Sequence, residues 1–181
     1  MQDIIRVLTT VGFFSISNVP DFDEDELLRA VTAFYKEVPS EERQKLLKRG
    51  FRPESPNCVR GLTPFVDNYP SHKEMYDMGS SLKFISDEAL TKPLYEDTPF
   101  PPQEEYQWIK QVFNDQYNKM HALSLKILEY ISIGLGKDRF FFHEWFLEDS
   151  LSTYRNNHIM PRTAEIVDSS ELSDNKFKLT T

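Results

Sequence analysis

Between Gln103 and Gly136, apolar side chains recur every three or four residues, and no other feature constrains the fold as strongly. Ile109, Val112, Phe113, Tyr117, Met120, Leu123, Ile127 and Ile131 trace one face of a helix of about nine turns. Gly134 and Gly136 end it. The same spacing places Ile4, Ile5, Val7, Leu8 and Val11 on a first helix, stopped by Gly12. Phe13, Phe14, Ser15, Ile16 and Ser17 then read as a buried strand, halted by Asn18 and Pro20. A second helix opens at Asp23, with acidic residues in its first turn where the dipole favours them. Its inward stripe is Leu27, Leu28, Val31, Phe34 and Tyr35, and a short third helix runs from Ser40 to about Lys48.

From Gly50 to Pro102 the periodicity fades and prolines concentrate, so short extended pieces around Gly61 to Phe65 and Glu74 to Met78 are expected, joined by turns. After the long helix comes a short aromatic one (Phe140, Phe141, Phe142, Trp145, Phe146), read as core. Ser152 to Ile159 reads as a strand, Pro161 to Asp174 as a polar loop, and Lys176 to Thr180 as the start of another strand. A strand there needs a partner, so its open edge is a place for one. The elements together make an α+β chain built round one long central helix.

Apolar residues at 39% are ample for a packed core, and a net charge of -8 argues against nucleic acid as a partner. The one basic cluster, Lys45, Lys48 and Arg49, reads as a solvated helix end. A single cysteine, Cys58, allows neither an internal disulfide nor a thiolate metal cage. No apolar run reaches the roughly 18 residues of a membrane span, and no signal peptide is evident, so a cytoplasmic protein is expected. Phosphate-binding glycine loops and a G-x-S-x-G nucleophile elbow are both missing from the sequence.

Six short segments acquire meaning from their order. They are Gly12-Phe13-Phe14 with Pro20; Phe34-Tyr35 through Pro39-Ser40-Glu41-Glu42-Arg43-Gln44-Lys45; Arg60-Gly61-Leu62-Thr63-Pro64; Lys73-Glu74-Met75-Tyr76-Asp77-Met78-Gly79; Glu96-Asp97-Thr98-Pro99-Phe100-Pro101; and Asp149 through Arg155. This series resembles the front portion of the iron(II)/2-oxoglutarate oxygenases of the isopenicillin N synthase type. The resemblance implies an N-terminal segment over residues 1–102 and a support region over 103–148. Residues 149–181 would open an incomplete double-stranded β-helix, the jelly roll of that family.

Complete members of the family use iron(II) and 2-oxoglutarate on a small-molecule substrate. Iron is held there by a His-x-Asp pair and a distant His, and the co-substrate by an Arg-x-Ser motif. On the resemblance the first of these would follow Lys178-Leu179-Thr180-Thr181, so no catalytic or metal-ligating residue and no cofactor is assigned to this chain alone. Within Arg155 to Pro161, Asn157 matches a family asparagine near the co-substrate, whereas Ile159 replaces a hydrogen-bonding tyrosine. His72-Lys73-Glu74 with His121 mimics the iron triad in spacing. Its residues fall on a loop and a helix flank, however, and are read as a surface and a flank histidine. His143 is read as packed and hydrogen-bonded, and His158 as insufficient for a site by itself. The resulting expectation is the N-terminal part of an oxidoreductase, inactive alone, with a protein-binding short form as the alternative.

Overall fold

The computed structural model describes residues 2–66, 72–82, 85–146 and 150–161. In chain order the elements are α1 (Gln2–Thr10), α2 (Glu24–Lys36), α3 (Ser40–Gln44), β1 (Gly61–Thr63), β2 (Lys73–Met78), α4 (Asp87–Leu90), α5 (Gln107–Gly134) and β3 (Tyr154–Ile159). The two short extended pieces expected in the proline-rich middle are β1 and β2, and the strand expected after the long helix is β3. Among the described residues no helix is long and apolar enough to cross a membrane.

The long helix forms, but its first turn tightens into a 3-10 segment at Glu104–Tyr106, leaving 28 residues of α-helix. Past Leu135, Gly136 adopts φ 68° and donates to Ile133 O (3.0 Å), while Lys137 N donates to Ser132 O (2.9 Å). Those two bonds make the Schellman ending that the glycine pair implied. Ile109, Phe113 and Tyr117 are buried, whereas Met120, Leu123, Ile127 and Ile131 farther along are half-buried.

α2 lies on the front half of α5. Asp23 caps it by accepting from Glu26 N (2.9 Å), and Ala30, Ala33, Phe34 and Tyr35 are its buried residues. Leu28, expected inside, is 61% exposed. The helix turns its small Ala30 and Ala33 inward instead, which allows close approach to a neighbour.

β1, β2 and β3 form one antiparallel sheet in that order. Leu62 pairs with Tyr76, Asp77 with Arg155 and Glu74 with His158. One face of the sheet closes the core, with the Phe34 ring 4.6 Å from Tyr76, 5.7 Å from Phe113 and 6.0 Å from Phe100.

Three expectations fail here. Phe13 to Ser17 form no strand, and Phe13 is 73% exposed. β-forming side chains do not make a strand without a ladder, and the outer side of β1 is taken by a bridge from Leu47 to Leu62. The aromatic stretch after α5 folds as turns and a 3-10 segment at His143–Trp145, and Phe140, Phe141, Trp145 and Phe146 are exposed rather than core. The third helix ends at Gln44, short of Lys48. The loop after Pro161 and the strand expected at Lys176 to Thr180 lie outside the described residues.

Candidate functional site

β2 is where the motif residues meet. Strand alternation sends Glu74, Tyr76 and Met78 toward the helices and Lys73, Met75 and Asp77 to the other face. Tyr76 fills the core and its hydroxyl donates to Pro99 O (2.7 Å). Arg43 of α3 reaches Glu74 at 3.3 Å, and the same carboxylate lies 2.8 Å from His158 Nδ1. Tyr35 stacks on the His158 ring at 4.5 Å and donates to Asn156 O (3.2 Å). Burial pushes the phenols of Tyr35 and Tyr76 well above their ordinary range.

On the opposite face Asp77 is buried between two cations. Arg155 donates to it through Nε (2.5 Å) and Nη2 (2.9 Å), and Lys48 Nζ makes a short contact to Oδ2. Burial would raise the Asp77 carboxyl, but hydrogen bonds from Arg155 and Lys48 hold it below the ordinary range. The basic cluster is therefore only in part a solvated helix end: Lys45 stays exposed at the end of α3, beside Glu42, whereas Lys48 does not. Lys48 serves this buried pair, and Arg49 donates to Ser55 O (2.9 Å) and Pro56 O (2.7 Å).

Arg60 ties the entry of β1 to the segment leading into β3. It is buried and donates to Met78 O (3.0 Å), Thr153 Oγ1 (2.6 Å), Ser152 O (3.1 Å) and Leu151 O (3.4 Å). Behind it, Glu96 accepts three successive backbone N–H groups, from Cys58 (2.6 Å), Val59 (2.9 Å) and Arg60 (3.0 Å). Burial opposes its charge, but those donors, with Asn57, hold the carboxyl below its usual value. Four of the other five ordered segments thus converge on β2 and fix β3 against it. The sequence signal for this was Asp77 set between the apolar Tyr76 and Met78, since a charge among buried side chains needs partners.

Asn157 lies opposite Met75 and is exposed, on the face that carries Arg155 and Ile159 and points away from the helices. His72 is not a surface residue: it is buried, with Nε2 2.9 Å from Pro161 O and its ring edge-on to Phe65. His121 stacks parallel to Tyr117 on α5, far along the chain from β2. His143 packs on Phe140, but its Nε2 has no hydrogen-bond partner and stands 3.6 Å from Glu129 Oε1. Cys58 is exposed and free. Among the described residues no three His, Cys, Asp or Glu side chains are grouped to hold a metal ion, so these residues do not fit an iron centre.

No protein-family model matches the chain. It is 31% identical over 159 residues to gibberellin 20 oxidase 3 of Arabidopsis thaliana, covering 86% of this chain and 40% of that protein. A full-length Neurospora crassa protein solved in complex with alpha-KG and 5-formyluracil has the same fold, with TM-score 0.71 and 21% identity. The match covers 95% of this chain and 50% of that one. A Caulobacter crescentus protein assigned to the 2OG-Fe(II) oxygenase family matches with TM-score 0.61 and 23% identity, over 80% of this chain and 47% of that one. The chain therefore spans about half, or less, of the length of the proteins it matches.

Proposed function

The chain belongs to the iron(II)/2-oxoglutarate oxygenase superfamily, and we propose that its 181 residues act there as the N-terminal support of an oxidoreductase, without turnover of their own. The sequence match to a curated oxidase carries this reading. The sheet supports it: the helices cover one face of β3, and Asn157 and Ile159 stand on the other, where a jelly roll would supply the remaining wall of a co-substrate pocket. Bound iron(II) and 2-oxoglutarate would supply the oxidising chemistry of the complete enzyme. The role of these residues is to hold β3 rigid and to exclude water from the helix side.

The test is direct. The purified chain is loaded anaerobically with iron(II), exposed to oxygen, and assayed for carbon dioxide release from 2-oxoglutarate. Release equal to a metal-free control is expected, and turnover above it would sink the proposal. A second reading, a short form that binds a protein partner, draws on the position of β3 at one end of the sheet among the described residues. It predicts a stable heteromeric complex that an Ile159→Lys substitution weakens.

A further inference from the structure

Glu129, near the end of α5, carries its hydrogen bonds on one oxygen. Lys126 Nζ (3.0 Å) and Arg139 Nε (2.8 Å) both donate to Oε2, and among the described residues nothing donates to Oε1. What faces Oε1 is His143 Nε2, 3.6 Å away, buried and without a hydrogen-bond partner. That separation is too long for a hydrogen bond. An imidazole nitrogen that lacks a proton offers a carboxylate only a lone pair, so this contact stands one proton short of a bond.

The two residues belong to different elements. His143 lies in the aromatic turn that follows α5, where Phe141 N bonds Asp138 O (3.1 Å), His143 N bonds Phe140 O (2.9 Å) and Trp145 N bonds Phe142 O (3.2 Å). Those bonds are internal to the turn, whereas Arg139 and His143 reach back to the helix. The charges near the imidazole decide whether a proton would be welcome there. Lys126 and Arg139 oppose it, but they sit on the far oxygen with side chains 45% and 50% exposed, where water screens them. Lys137 lies over the Phe141 ring, Asp138 accepts from Phe140 N, and Glu144 is the next residue in sequence. The nearer charge is negative and enclosed, since the Glu129 and His143 side chains are 11% and 16% exposed, so attraction wins. Hydrogen bonds from Lys126 and Arg139 also hold the Glu129 carboxyl below its ordinary value, which keeps it ionised wherever imidazoles change charge.

We propose that Glu129 and His143 form a proton-operated clasp that fastens the aromatic turn to α5. A proton taken from solvent onto the ring lets Nε2 donate to Oε1, and no other bond is made or broken. When it leaves, the turn keeps its internal bonds and Arg139 alone. The stabilisation is therefore present at low pH and lost as pH rises through the imidazole range. The surface it governs is the exposed pair Phe141 and Trp145. The clasp needs neither iron nor a co-substrate, so it stands or falls apart from the turnover test.

NMR of the full chain tests it through exchange of backbone amides with water, each rate divided by its unstructured value at the same pH. Protection of the His143, Trp145 and Phe146 amides should be about three- to tenfold greater at about pH 5.5 than at about pH 8. That range lies between an exposed ion pair and a fully buried one. The Phe113 and Tyr117 amides, in the buried front half of α5, should show no such gain. His143→Gln and Glu129→Gln should each remove the gain, whereas a purely packing role for the ring would leave protection equal at the two pH values. Where Glu129→Gln fails to fold, because Lys126 and Arg139 lose their acceptor, the wild-type profile and His143→Gln decide. Equal protection at both pH values, a gain at the higher pH, or a gain that survives in His143→Gln overturns the proposal.

Discussion

A Cβ on Gly61 would sit 2.4 Å from the backbone oxygen of Leu46, and φ at this position is 113°. A Cβ on Gly79 would meet the Arg60 guanidinium carbon at 2.3 Å, and that group is held by four acceptors. Backbone cannot retreat, whereas a side chain can move once its hydrogen bonds are given up. Gly61→Ala should therefore destabilise by about 3–4 kcal/mol and Gly79→Ala by about 1–3, as read from urea unfolding. Gly50→Ala, with open space around it, is the control, and the reverse order of the first two would contradict the packing described. The carboxylates give a second prediction. Asp77 and Glu96 are both held below their ordinary values, so their contribution is fully present above the unfolded value of about 4 and is lost as pH falls through the lower folded value. The urea midpoint should drop steeply below about pH 4. Asp77→Asn should begin lower at neutral pH and show a shallower acid limb.

The long helix was legible because eight apolar positions agree on one face, and its glycine ending was legible because only a left-handed residue closes a helix in that way. The choice between Leu28 and the pair Ala30 and Ala33 was not. Periodicity fixes a stripe to within one residue, while the partner's distance decides whether large or small side chains face it. Leu28→Gln should accordingly change stability by no more than about 0.5 kcal/mol, and Phe34→Ala should cost about 3–5, measured by the same unfolding assay. Strands were harder still. Phe13 to Ser17 have the composition of a strand but lack a ladder partner among the described residues, whereas β3 has one in β2, and that partner lies some eighty residues earlier. The pairs Arg155 with Asp77 and His158 with Glu74 set its register, and neither could be paired from local sequence. Asn157 was singled out only through the resemblance. Arg155 and Lys48 were missed because their common partner, Asp77, is recognisable as buried only once β2 is placed.

Across the whole molecule, apolar side chains reach the surface in separate places. Phe141 lies 5.7 Å from Trp145 and 5.0 Å from Phe142, so the turn after α5 presents a continuous aromatic cluster, with Trp145 57% exposed. Phe13 and Ile16 are exposed after α1, and Ile159 on β3. Contiguous apolar surface drives association where no partner covers it, and its strength scales with the area removed from water. The aromatic cluster is the most continuous of these surfaces, so it should dominate self-association of the chain at micromolar concentration. Sedimentation velocity is the measurement. Trp145→Lys should shift the distribution toward monomer with little change in the urea midpoint, because the exposed ring contributes little to the core. Ile159→Lys should shift it less, since one isolated side chain offers a smaller area than the cluster. If Ile159→Lys has the larger effect, association runs through the outward face of β3 or its edge, which is unpaired among the described residues, and the sheet rather than the aromatic turn is the surface that a partner would cover.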